Sequence, residues 1–275
     1  MRNQLLTGYI LHQKPYGESR SLVYLFSEES GVVHGIGKKN LPLFVPIQFF
    51  GNGKNSLKTF SQSQILQNHI TLRGQSLYAG MYLNEILQKL LPVEEPFAEI
   101  WQAYQQCVAN MATLFVDPAQ SPHDMTRLKW HLRRFENVLF EQLGYGFDFA
   151  KDALGELIAP SQRYQYQLQQ GFMPVLPLDK PDMSLTGEQL LTWYQCLQDE
   201  TSFTQMMQQD LKIAHLQQLP VLSFISSFNW QNLSNVNYFD ANSNWVNFNY
   251  VGLKVTWDFP TNVQKLATVY NKKIQ

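Results

Sequence analysis

The sequence predicts an α+β protein: a small strand-rich barrel, then a mainly helical domain, then an atypical C-terminal β-hairpin. Three observations predict it. Five short β-branched or aromatic runs, separated by turn residues, fill the first sixty or so positions. From about residue 75 the apolar residues recur at helical spacing. Past the last of these helices the chain changes character, and over residues 216–260 charge is sparse and asparagine and aromatic residues take over. The segments are therefore drawn at 1–74, 75–202 and 203–275.

The strand runs come first. Thr7–His12, Ser21–Ser27, Val32–Gly37, Ile47–Phe50 and Leu57–Ser63 are rich in residues that favour a pleated, half-buried surface. Pro15-Tyr16-Gly17, Glu29-Ser30-Gly31 and Gly51-Asn52-Gly53 lie between them and supply the fixed or positive φ that reversals require. Five strands in so short a stretch suit a small barrel such as an OB-fold, and a small sandwich or SH3-like barrel fits the same pattern.

The helical part opens with Leu77, Met81, Ile86, Leu87 and Leu90 on one face, and Pro92 ends that helix. A second helix spans about 96–115, with Phe97, Ile100, Trp101, Tyr104, Val108 and Met111 as its stripe. The third has Ser121 as the expected N-cap, Pro122 in the first turn and Asp124 three residues after the cap. Its core face is Met125, Leu128, Leu132, Phe135, Leu139 and Leu143, and Gly144 is the expected stop. A partly stranded insert follows over Gln162–Gln169 and Gly171–Met173, then a helix from Thr186 to about Glu200.

The tail differs from everything before it. Asn229–Asn249 holds eight asparagines, and Pro220–Pro260 only three charged residues. Trp245, Phe248 and Tyr250, then Val251, Leu253, Val255, Trp257 and Phe259, alternate in the manner of a β-hairpin.

Charge is distributed unevenly. The net charge of −1 hides +5 over residues 1–80, from eight Lys or Arg against three Asp or Glu, and −8 over residues 81–200. A basic first module beside an acidic second one suits a polyanionic partner for the first. The two cysteines, Cys107 and Cys196, form no Cys-x-x-Cys pair, so a zinc site is not expected and both read as buried thiols in a reducing compartment. The chain shows no signal peptide and no apolar run of ~18 residues, and a cytoplasmic location is expected.

Bond-making chemistry has no constellation to carry it. The six histidines are scattered, with no His-x-x-x-His and no Gly-x-Ser-x-Gly elbow. Gly35-Ile36-Gly37-Lys38-Lys39 resembles half a phosphate loop, but Val32 stands where a glycine is needed and Lys39 where Ser or Thr is needed. Glu94-Glu95 reads as negative charge at a helix start. No enzyme activity and no cofactor are expected.

Binding residues are better represented. Lys14, Arg20, Lys38, Lys39, Lys54 and Lys58 lie on or beside the strands, where cations neutralise phosphates and release counterions. Tyr9, Tyr16, Tyr24 and Phe26 interleave with them as stacking surfaces, although half must face the barrel core because strands alternate. On the third helix, Arg127, Lys129, His131, Arg133 and Arg134 crowd into eight positions beside Phe135. Arg127, His131 and Arg134 share a face, which predicts either a solvated surface or a cationic shelf for an acidic, aromatic-ended peptide.

Residues 1 to about 200 resemble the RecO family of recombination mediators. The resemblance rests on Gly8-Tyr9-Ile10-Leu11, Tyr16-Gly17-Glu18-Ser19, Phe26–Gly31, Leu77–Glu85, the Leu132–Phe149 run, and Leu185–Leu190, in this order and spacing. It implies an N-terminal OB-fold, a helical C-terminal domain and no catalytic residues. It further implies a role in DNA repair and recombination after DNA damage. The family's activities are binding of single- and double-stranded DNA and annealing of complementary strands. Its partners are the C-terminal tail of single-stranded-DNA-binding protein and RecR, with which RecA is loaded. By position, Lys38 and Lys39 correspond to the basic DNA-binding loop, and Arg133, Arg134 and Phe135 to the helix of the tail-binding pocket. Some members hold zinc through four cysteines, which this chain lacks.

Two departures stand out. The loop after Gly37 is shorter and less basic than in the family, and the usual lysine- and arginine-rich helical ending is missing from about residue 203. Instead Leu211–Pro220, Val221–Trp230 and Tyr250–Phe259 resemble a fragment of a TolC-type outer-membrane efflux protein. The alternative expectations are a membrane-associated or efflux-related fragment, or a fused or truncated product with impaired activity.

Overall fold

The computed structural model describes residues 3–208 except 68–70, 145, 147, 168–169 and 176–183. Five strands open the chain: β1 (Gln4–Tyr16), β2 (Arg20–Ser27), β3 (Gly31–Lys38), β4 (Ile47–Asn52) and β5 (Leu57–Ile65). They close into a barrel in the order β1-β2-β3-β5-β4, with β3 and β5 parallel and every other pair antiparallel. Closure leaves no free sheet edge, and this is the OB-type barrel the turn spacing suits. Its interior is filled by alternate residues, among them Leu6, Ile10, Val23, Leu25, Val33, Ile47, Phe49 and Phe60. Gly35 also points inward, where an added Cβ would lie 2.5 Å from the Phe60 ring. The glycine therefore makes room for the aromatic core.

Helices α1 (Gly74–Leu90) and α2 (Ala98–Ala112) group with the barrel in one compact unit, Met1–Asp124, and a second unit begins at Met125. Packing thus divides the chain at a different place from composition. Aromatic rings join α2 to the barrel: Trp101 lies 5.3 Å from Tyr9 and 5.4 Å from Phe26, and Tyr104 lies 5.1 Å from Tyr9. The stripe expected on α2 is buried from Ile100 to Met111, with Cys107 added to it, while Phe97 is only half-buried and caps the helix start. On α1 the buried face is turned from the expected one. Ile86 and Leu87 are buried as expected, but Ser76, Ala79, Gly80, Tyr82, Leu83 and Asn84 are buried with them, while Leu77, Met81 and Leu90 are half-buried. Small side chains at Ser76, Ala79 and Gly80 account for part of the difference. A Cβ on Gly80 would come within 2.5 Å of Leu72 and 2.8 Å of Phe44, so close approach rather than bulk selects that face.

The second unit takes in most of α3 (Ser121–Gln142), which crosses the boundary and follows a 3-10 turn at Pro118–Gln120. Asp124 lies in the first turn of α3, and its carboxylate accepts the Phe115 N–H at 2.8 Å. The insert is a three-stranded sheet of β6 (Arg163–Gln167), β7 (Gly171–Pro174) and β8 (Leu185–Thr186), in the order β7-β6-β8. It shares a core with Trp130, Phe149, Leu190 and Trp193.

Thr186 and Gln189 form a reciprocal capping box at the start of α4 (Gly187–Gln198). The helix expected to end near Glu200 is followed by another, α5 (Glu200–Gln208). Extended backbone at Asp199 breaks the first, and the Asp199 carboxylate accepts both the Ser202 N–H at 2.7 Å and its hydroxyl at 2.8 Å, which starts the second. α5 runs through the 202/203 boundary drawn from composition. The expected tail hairpin and its efflux-protein resemblance lie outside the described residues.

Candidate nucleic-acid interface

Alternation along the first three strands determines which side chains meet outside the barrel. On β2, Ser21, Val23 and Leu25 are buried inside, which turns Arg20, Leu22 and Tyr24 outward. Pairing with β1 and β3 then creates three cross-strand rows on that outer face. One row is Tyr16–Arg20–Lys38, the next Lys14–Leu22–Ile36, and the third His12–Tyr24–His34. Through β5 the last two rows continue to Thr59 and Leu57. Neighbours in a row stand about 4.5–5.5 Å apart at Cβ, so each row acts as one surface.

The array combines cations with aromatic rings. Lys14, Arg20 and Lys38 are exposed, and Tyr16 is 54% exposed. Tyr24 is half-buried in the centre, with ring centroids 5.8 Å from His12 and 4.6 Å from His34. The Lys14 ammonium lies 5.9 Å from the Tyr24 centroid. Burial holds both histidines below the ordinary imidazole pKa, assisted at His12 by Lys14 and opposed at His34 by Glu94. Both shifts favour the neutral ring, which contributes stacking surface rather than charge.

The remaining sequence candidates fall in different places. Lys39 is half-buried and its ammonium donates to the Glu18 carbonyl. Lys54 is exposed in the turn leading into β5. Lys58 is a correction: it falls on the inward phase of β5, is only 3% exposed, and bonds Glu94 Oε1 and the Asn55 carbonyl at 2.6 Å each. It ties β5 to the residue 93–95 turn and is not available to a ligand. Tyr9 and Phe26 likewise belong to the core against α2, which leaves Tyr16 and Tyr24 outside. The sequence reading missed His12 and His34. Counting outward from the Gly17 and Gly31 turns would have set both opposite Tyr24.

On α3 the cationic cluster separates. Arg133 is buried and its guanidinium donates to the fully buried Glu136 carboxylate, one turn away. Phe135 is 2% exposed and part of the core. These two side chains therefore do not line an open groove, contrary to expectation. Arg127 pairs with Glu200 at 2.9 Å, and Lys129 is half-buried, its pKa lowered by burial and by Arg133. His131 is buried, and burial lowers its pKa to about 4. Arg134 is exposed, with its guanidinium carbon 5.3 Å from the Trp130 ring centroid. The cause is the width of the buried surface: His131, Arg133, Glu136 and Phe140 are covered in addition to the apolar stripe.

Both cysteines are buried thiols, and burial together with Asp199 pushes Cys196 up to about 11. Among the described residues no three His, Cys, Asp or Glu side chains are grouped to hold a metal ion, and no helix is long and apolar enough to cross a membrane.

The family model described as "Recombination protein O N terminal" matches residues 1–69, the segment that contains the barrel. DNA repair protein RecO of Aliivibrio fischeri (strain MJ11) is 34% identical over 202 residues, which is 70% of this chain and 80% of the relative. The chain belongs to the RecO family of DNA repair proteins. RecO of Haemophilus influenzae (strain 86-028NP) is 33% identical over 204 residues, covering 70% of this chain and 81% of the relative. RecO of Actinobacillus pleuropneumoniae serotype 3 (strain JL03) is 30% identical over 199 residues, covering 68% and 78%. Membership agrees with the resemblance read from the motifs, and the closed barrel agrees with the expected α+β architecture.

Proposed function

We propose that the chain is a non-enzymatic DNA-binding and strand-annealing mediator whose β1–β2–β3 face holds single-stranded DNA. One observation carries this reading: Lys14, Arg20 and Lys38 share one outer barrel face with the His12–Tyr24–His34 row and lie to one side of it. Cations at that spacing follow a phosphate backbone, while a central ring supplies a stacking platform that accepts any base. Neutralised strands repel each other less, which is the physical requirement for annealing. Lys39 and Lys54 extend the charge at the rims.

The family further supports a cytoplasmic mediator that works with RecR and single-stranded-DNA-binding protein to load RecA. For the acidic tail of single-stranded-DNA-binding protein, the supporting residue is the exposed Arg134, with Arg127 on the same face of α3. Arg133 and Phe135 support the helix itself.

Anisotropy of a labelled oligonucleotide at low and moderate salt tests the proposal. Binding that weakens with salt, and weakens by about 1–3 kcal/mol in Tyr24→Ala through lost stacking, is expected. Undetectable binding at low salt refutes it. For the tail site, Arg134→Ala is expected to weaken binding of an acidic, aromatic-ended peptide, and unchanged affinity rejects that assignment.

A further inference from the structure

The phase of β1 changes partway along the strand. Up to Ile10 the even-numbered residues Leu6, Gly8 and Ile10 face the barrel interior. Beyond it the even-numbered His12, Lys14 and Tyr16 face outward, because Ile10 pairs with Leu25 and His12 with Tyr24, leaving Leu11 unpaired as a β-bulge. In an unbulged ladder Leu11 would stand opposite Tyr24. His12, Lys14 and Tyr16 would then turn inward, since a one-residue slip exchanges the two faces of a strand.

A buried polar cluster sits at the bulge. Asn84 of α1, 2% exposed, donates its amide to the carbonyls of Ile10 at 3.3 Å and Leu11 at 3.0 Å. The Tyr104 hydroxyl of α2, fully buried, donates to Asn84 Oδ1 at 2.7 Å and so orients the amide toward the strand. Both carbonyls flank the irregular step, where the regular ladder is interrupted and a replacement donor is most needed. Past the bulge the Gln13 side chain bonds the Leu41 backbone in both directions, at 2.8 and 3.3 Å. This holds the new phase in place.

We propose that Asn84, oriented by Tyr104, is a positioning residue that imposes the bulge and thereby places His12, Lys14 and Tyr16 on the nucleic-acid face. The proposal rests on the reading of that face as a DNA-binding surface, and it assigns a role to the Leu77–Glu85 motif. Neither Asn84 nor Tyr104 touches the ligand surface.

Thiol labelling of the full chain tests the phase without DNA. Cys107 and Cys196 are buried and give a low background. Lys14→Cys is expected to react readily and Gln13→Cys slowly. Adding Asn84→Leu is expected to exchange them, slowing position 14 and speeding position 13 by about tenfold each, since exposure governs thiol reactivity. Tyr104→Phe, which removes one oxygen, is expected to act in the same direction more weakly, and it decides the question if Asn84→Leu does not melt cooperatively. An unchanged pattern, or a parallel rise at both positions as in general loosening, overturns the proposal.

Oligonucleotide binding then separates the two claims. Lys14→Ala is expected to weaken binding in the parent but not in Asn84→Leu, whereas Lys38→Ala weakens it in both. If labelling exchanges but neither lysine matters in the parent, the DNA-binding reading fails and the clamp stands. If both lysines matter and labelling does not exchange, the clamp fails and the DNA-binding reading stands.

Discussion

Arg133 and Arg134 occupy successive positions on α3, yet one pairs with a fully buried glutamate and the other lies open over an indole ring. Removing the first takes a guanidinium away from a fully buried carboxylate. Arg133→Ala is therefore expected to cost about 3–5 kcal/mol of stability in chemical denaturation. Arg134→Ala, at an exposed position, is expected to stay within about 0.5 kcal/mol. His131 gives a second prediction at this scale. Its folded pKa, lowered to about 4 by burial, lies below the unfolded value of 6.5. Below pH 6.5 the unfolded chain gains a proton that the folded one refuses, so the contribution is complete above 6.5 and is lost as pH falls toward 4. Denaturation midpoints between pH 7.5 and 4.5 are expected to fall less steeply in His131→Gln than in the parent. Sequence spacing identified the apolar side of α3 correctly, but spacing carries no information on how many flanks are covered. For that reason the buried Arg133–Glu136 pair looked like surface charge.

Among the elements, the turns were the most legible and the faces the least. Gly31 was read as a turn glycine; in the structure it has φ of 65°, and an added Cβ would lie 1.9 Å from the Glu95 carbonyl oxygen. Gly31→Ala is expected to lower stability by about 2–3 kcal/mol or more, read from thermal and denaturant unfolding, because backbone strain and a clash with main chain act together. A neutral substitution would contradict the close approach. The strand ends, the stop of α3 at Gly144 and the capping box of α4 all follow from local chemistry that a sequence displays. The β1 bulge and the turned face of α1 do not. Both depend on a partner far along the chain: Asn84 for Leu11, and Phe44 and Leu72 for Gly80. The break before α5 was legible in Asp199 and Ser202, an Asp-x-x-Ser start that the apolar periodicity running through it concealed.

For the whole molecule, the uneven charge seen in the sequence corresponds to a surface. Of the eight cations in residues 1–80, Lys14, Arg20 and Lys38 converge on one barrel face, while Lys58 is taken into the interior. Net charge located the module; only the register of β1, β2 and β3 shows which cations share a surface. The salt dependence of single-stranded oligonucleotide binding, compared between the parent and Lys14→Ala/Arg20→Ala/Lys38→Ala, tests that convergence most directly. With each lost phosphate contact lowering the log–log slope by about 0.7, the expected result is a slope smaller by about 2 together with weaker binding at every salt concentration. Equal slopes and equal affinities in the two proteins would contradict it.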